Sequence, residues 1–122
     1  MKIAIFLVAI ATTIYVAATP ATAIPGGWSK IKNITDPHIQ ELGEWAVMEH
    51  NKVGNDNLKF QKVVSGKQQI VNGVNYYLFI DAMQLEGSHG TYRAVLLEED
   101  SSNPNTRKLI SFNSKNWVMH GY

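Results

Sequence analysis

The chain has 122 residues, with 11 Lys and Arg against 10 Asp and Glu, a formal net charge of +1, and 45% hydrophobic residues. That is enough apolar material for one small core, and there is no basic stripe along the sequence to neutralise phosphates, so nothing points to nucleic acid. The absence of cysteine excludes a disulfide framework, a cysteine nucleophile and a thiolate metal site.

Residues 1–23 read as a signal peptide. Lys2 supplies the positive start, residues 3–16 are almost wholly apolar, and Ala21-Thr22-Ala23 supplies small residues around a cut after Ala23. The apolar run is too short for a membrane span and no later segment approaches one, so no membrane association is expected once the leader is removed. Residues 24–122 then form a single domain carrying ten basic and ten acidic side chains. The expected location is secreted, extracellular or vacuolar.

Residues 24–33 read as an extended, partly free arm. Pro25 restricts the backbone, Gly26-Gly27 leaves it without side chains to anchor, and Trp28 is the first residue able to pin it down. Asn33-Ile34-Thr35 is an acceptor pattern for N-glycosylation. Thr35 or Asp36 can cap the next element, and Pro37 suits a first helical turn. A helix is expected over 38–52, with Ile39, Leu42, Ala46 and Val53 on the buried stripe and Trp45 at its rim. Gly43 costs helix propensity and is explained by close approach of the helix to a sheet.

Residues 58–65 read as a strand continuing through 67–71 after a bulge at Ser65-Gly66. Asn72-Gly73 is the strongest hairpin signal in the chain. Further strands follow at 74–82, 92–97 and 108–112, with a turn at 86–90 and a polar loop at 98–106. Residues 113–122 read as a tail containing Trp117. One helix followed by antiparallel strands defines an α+β fold, the helix lying across a curved sheet of four to five strands.

No catalytic constellation emerges, and the chain is not expected to be an enzyme or to need a cofactor or metal. His38, His50, His89 and His120 have no metal-ligand spacing. Asp81 and Glu86 could meet around a turn, but nothing else supports a glycoside-cleaving pair. Glu98-Glu99-Asp100 reads as a solvated loop, with weak calcium binding as the alternative.

Several segments resemble the plant cystatins (phytocystatins), inhibitors of papain-like cysteine proteases. Leu42-Gly43-Glu44-Trp45-Ala46-Val47-Met48-Glu49-His50-Asn51 matches the family's helix motif over ten positions. Gln69-Ile70-Val71-Asn72-Gly73 matches its central loop (Gln, any residue, Val, any residue, Gly). Gly26-Gly27 matches the N-terminal glycine pair, and Tyr76-Tyr77 the tyrosine pair after the loop. The family's second hairpin carries a Pro-Trp pair, whereas residues 98–105 here contain no tryptophan.

The resemblance implies a cystatin-like fold and a reversible, noncovalent, competitive inhibitor. Gly26, Gly27, Gln69, Ile70, Val71, Asn72 and Gly73 would enter the protease cleft without being cut. Its partners would be papain-like cysteine proteases, endogenous or from pests. A cystatin-fold binding or storage protein without inhibitory activity is the alternative that the altered second hairpin favours. A monomer is expected, with a domain-swapped dimer through an opened first hairpin as the other oligomeric form.

Overall fold

The computed structural model describes residues 27–115. Residues 1–23, expected to be a signal peptide, and Gly26, Trp117 and His120 lie outside the described residues. In chain order the elements are strand β1 (Trp28–Lys30), helix α1 (Pro37–Val53), strands β2 (Lys59–Val71), β3 (Gly73–Met83) and β4 (His89–Glu98), a 3-10 turn (Pro104–Thr106), and strand β5 (Arg107–Ser114). The strands form one five-stranded antiparallel sheet in the order β1-β2-β3-β4-β5.

Helix α1 starts where local chemistry dictates. The Asp36 carboxylate accepts a hydrogen bond from the His38 N–H at 2.9 Å, and Pro37 occupies a first-turn position that needs no donor. Ile39, Leu42, Gly43, Ala46 and Val47 form the buried face. Val53 is not on it: at 87% exposure it projects from the last turn into solvent, and Val47 takes the core place. Trp45 is half-buried against the core edge, and the Arg107 guanidinium lies 5.8 Å from its ring centre.

The sheet answers with Val63 from β2, Tyr76, Leu78, Ile80 and Ala82 from β3, and Ala94 and Leu96 from β4, all buried. Alternate residues of a strand face opposite sides, so Tyr77, Phe79 and Asp81 point away from the helix. Gly43 permits the close crossing expected of it: a Cβ there would lie 2.3 Å from Val63 Cγ2.

Strand β2 carries its irregularities elsewhere than expected. Gly66 pairs regularly with Leu78, while register shifts occur between Phe60 and Lys62 and between Val63 and Ser65. The second shift is supported by the helix. Gln40 Nε2 donates to the Val63 carbonyl at 3.1 Å, and Val63 N–H donates to Gln40 Oε1 at 2.9 Å. A backbone displaced from its strand partner thus keeps both hydrogen bonds, which offsets the cost of the bulge.

The arm is extended, as expected, and is anchored from Trp28, where Trp28–Lys30 pairs with β2 in the register Trp28↔Gln69 to Lys30↔Lys67. Two further expectations are corrected. Glu98 is not in a solvated loop: it ends β4 and is 2% exposed, which removes it from any calcium-binding reading of 98–100. Asn113 and Ser114 belong to β5 rather than to a tail.

Candidate functional site

The residues singled out in the first hairpin converge at one end of the sheet. The hairpin turns about Asn72, with Val71 opposite Gly73 and Ile70 opposite Val74. Asn72 is exposed, Ile70 is 43% exposed and Val71 is 44% exposed, so the tip presents an apolar edge to solvent. Gln69 stands half-buried below the tip, its Oε1 accepting from Asn75 Nδ2 at 3.0 Å.

Gly73 has φ +122°, a conformation that side chains rarely adopt. A Cβ there would also sit 2.8 Å from the Glu98 carbonyl oxygen and 3.0 Å from Glu99 Cα. The glycine therefore serves both the turn and its seat on the neighbouring strand, at the root of the loop formed by residues 99–106.

Gly27 leads into β1 and is half-buried. Because Trp28 pairs with Gln69, the arm enters the sheet beside the first hairpin. Trp28 is 43% exposed and meets the Tyr77 ring edge-on, with centroids 6.2 Å apart. Gly26 lies outside the described residues. Asn33 is exposed and its Oδ1 accepts from Thr35 Oγ1 at 2.9 Å.

The loop after β4 is held by its own polar groups. Asp100 Oδ1 accepts from the Ser102 N–H and hydroxyl, at 2.9 and 2.7 Å. Thr106 Oγ1 donates to the Asn103 carbonyl at 2.7 Å. Asn103 Oδ1 accepts from Asn105 N–H at 3.0 Å. The two bonds from Ser102 pull the Asp100 carboxyl below its ordinary range, the hydroxyl contributing most. The loop offers a compact polar surface where the family resemblance would place an aromatic anchor.

Beneath both hairpins lies an ionic cluster that sequence reasoning missed. Arg107 Nε donates to Glu98 Oε2 at 2.9 Å, and the two side chains are 2% and 1% exposed. The other edge of the guanidinium holds Glu41 in a fork, Nη1 and Nη2 reaching its two oxygens at 3.1 and 2.9 Å. His38 Nε2 stands 2.7 Å from the remaining Glu98 oxygen. Hydrogen bonds from Arg107 hold the Glu41 carboxyl below its ordinary value, against the opposing effect of burial. Burial alone would lower Arg107, but its two carboxylates more than reverse this and leave it raised. Partners separated by 60 and 66 positions leave no local pattern from which the cluster could be read.

The remaining candidates have structural roles. His50 stacks on Phe112, centroids 4.3 Å apart, and bonds Asp56 at 2.7 Å. Asp81 pairs with His89 at 3.1 Å, while Glu86 accepts from Ser88 at 2.8 Å, so each carboxylate has a separate partner.

Comparison with known proteins agrees with this architecture. Residues 31–115 match a family described as "Aspartic acid proteinase inhibitor". The chain is 52% identical over 103 residues to "Cysteine proteinase inhibitor 6" of Oryza sativa subsp. japonica, covering 83% of this chain and 89% of that protein. It is 39% identical over 113 residues to "Putative cysteine proteinase inhibitor 7" of the same rice, covering 92% and 95%. The crystal structure of a salivary cystatin from the soft tick Ornithodoros moubata shares the fold, with TM-score 0.61 and 21% identity over 75% of this chain and 99% of that one. One helix gripped by a five-stranded antiparallel sheet is thus a cystatin fold, and the chain belongs to the plant cystatins, a family of protease inhibitors rather than enzymes.

Proposed function

We propose that residues 24–122, released from the leader 1–23, form a secreted, reversible and noncovalent competitive inhibitor of papain-like cysteine proteases. The observation that carries this reading is the common end of the sheet. An exposed Ile70-Val71 edge stands there beside the arm, on a hairpin whose Gly73 is seated against the next strand. Such a preorganised edge loses little conformational freedom when it docks.

In this reading Gly26-Gly27 lets the arm turn away before a carbonyl reaches the protease nucleophile. Gln69 to Gly73 caps the cleft centre, with Val71 burying apolar surface. The names of the rice relatives support cysteine proteases as the target class. A glycan on Asn33 would project from an exposed position. The protein acts as a monomer, and a swapped dimer would have to open the first hairpin and so lose its tip.

The test is steady-state inhibition of papain and a cathepsin L-like protease by purified residues 24–122. Competitive inhibition, with the protein recovered uncut, is the expected result. Absence of inhibition at tens of micromolar by a folded monomer would leave the second reading, a cystatin-fold binding or storage protein. The polar loop at 99–106 is the observation that favours that alternative. Pepsin belongs in the same panel, because the matched family is described by aspartic proteinases; inhibition of pepsin alone would overturn the assignment of target class.

The polar second loop makes this inhibitor weaker or more selective than one with an aromatic anchor. An anchor worth ~2 kcal/mol corresponds to roughly thirtyfold in affinity. Installing Pro-Trp within 99–105 should recover a gain of that order against papain, measured as the inhibition constant. No gain would remove this explanation.

A further inference from the structure

The near-neutral balance of the chain conceals an uneven distribution. Lys30, Lys59, Lys62, Lys67, Arg93 and Lys108 occupy outward positions of the sheet, as the register shows: Lys30 is opposite Lys67, Lys67 opposite Tyr77, Lys62 opposite Asp81, Lys59 opposite Met83, Phe79 opposite Arg93, and Leu97 opposite Lys108. Lys115 follows β5 and turns its ammonium over the same face, 5.8 Å from the Phe79 ring centre. Among the described residues, the carboxylate at outward strand positions is Asp81, and it is already paired with His89. Glu98 lies on the buried, helix-facing side of β4, and the helix and the loops carry the other acids.

These cations surround a line of aromatic rings. Trp28 meets Tyr77 edge-on, and Tyr77 meets Phe79 at 5.4 Å with planes tilted by 59°. Lys67 lies 5.1 Å from the Tyr77 ring centre. Lysines at sheet edges can serve only to discourage edge pairing, which would account for Lys30 on β1 and Lys108 on β5. That account does not reach Lys67 or Arg93, which sit on interior strands. Nor does it explain why Lys30 stands directly across from Lys67, an arrangement of like charges that costs stability on its own.

We propose that this outward sheet face binds a linear carboxylated polysaccharide. The cations span from the first strand to the fifth, four interstrand steps or about 19 Å, so an extended polyanion can satisfy them together and a small anion cannot. Carboxylates spaced along a chain relieve the opposed lysines, and tilted rings offer their faces to the C–H surfaces of puckered sugars. A nucleic acid fits less well. Six of these seven cations are lysines rather than the planar arginines that fork onto phosphate, and rings set edge-on or tilted give no parallel platform for bases.

The centre of this face is distinct from the hairpin tip. Phe79 lies six residues from Gly73 along β3, about 20 Å of strand. Polysaccharide and protease would therefore engage different parts of the molecule.

The experiment is affinity electrophoresis of the purified protein through gels containing polygalacturonate, dextran or neither. Retardation by polygalacturonate, relieved by added salt, and none by dextran is the expected pattern. The double variant Lys67→Gln/Lys115→Gln should bind at least ~fivefold more weakly. Lys52→Gln removes a helix lysine paired with Glu49 and should bind as the parent does. Matching melting curves establish that each variant is folded, and Lys67→Arg should retain binding.

No retardation of the parent at low ionic strength would overturn the proposal. An equal loss in Lys52→Gln would show that net charge, not this face, is responsible. Single-stranded DNA bound as tightly as polygalacturonate would overturn the ligand class.

Discussion

At the scale of single residues, two glycines show how close approach limits what the chain tolerates. Gly43→Ala gains about 1 kcal/mol of helix propensity but drives a methyl into Val63. Overpacking of that kind costs about 1–3 kcal/mol, so a net loss of stability is expected in urea denaturation. Shortening the obstructing side chain should restore part of it. In the double variant Gly43→Ala/Val63→Ala the two changes should be less destabilising than their sum, and strict additivity would place the conflict elsewhere. Gly73→Ala has no such remedy, because the atom it meets is backbone and its φ is positive. It should lose about 1–3 kcal/mol of stability and weaken protease inhibition together. Unchanged stability and inhibition would contradict the seat described for the hairpin.

At the scale of elements, the Glu98–Arg107 pair joins β4 to β5, and Glu41 and His38 fasten the start of α1 to both. Removing Glu98 leaves the buried Arg107 Nε without its acceptor, while Glu41 still holds the other edge of the guanidinium. Glu98→Ala should therefore cost about 1–3 kcal/mol by thermal or chemical denaturation. Glu41 adds a pH dependence. Its folded value lies below the ordinary 4.5, so the ionised form is favoured by folding. The stability it contributes is present above that ordinary value and is lost as pH falls through the folded one. Glu41→Gln should flatten the acid limb of the stability curve, and an unaltered limb would show that other carboxylates govern it. Local patterning revealed the hairpin at Asn72-Gly73 and, to within one residue at either end, the helix expected over 38–52, because turn and cap chemistry act over a few residues. It misplaced Val53, since the helical period carried the stripe one turn beyond the sheet. It misplaced Glu98 too, since an acid beside two more acids reads as solvated until an arginine nine residues away folds against it.

At the scale of the molecule, the cationic face was invisible in sequence for a related reason. Its cations come from four separate stretches of chain, and only strand register places them on one side. The strand order follows the chain order, and the connection that is not a hairpin is the one through α1 from β1 to β2. A swapped dimer would open the turn at Asn72 and exchange β1, α1 and β2 as a unit. It should elute at twice the monomer mass and lose protease inhibition while keeping the far-UV circular dichroism of the monomer. A dimer that inhibits as fully as the monomer would mean that the turn stays closed.

The contact of Gly73 with the Glu98 carbonyl also bears on how this scaffold could be varied. Two loops that share a support cannot be treated as separate cassettes. Asn72 is exposed at the tip and Ile70 is 43% exposed, so a library built on those two positions can sample new specificities at little structural expense. A library that includes position 73, or that changes the length of the chain between it and the next strand, would shift the footing of the second loop with every member. Selection from it would report mostly on which sequences still fold.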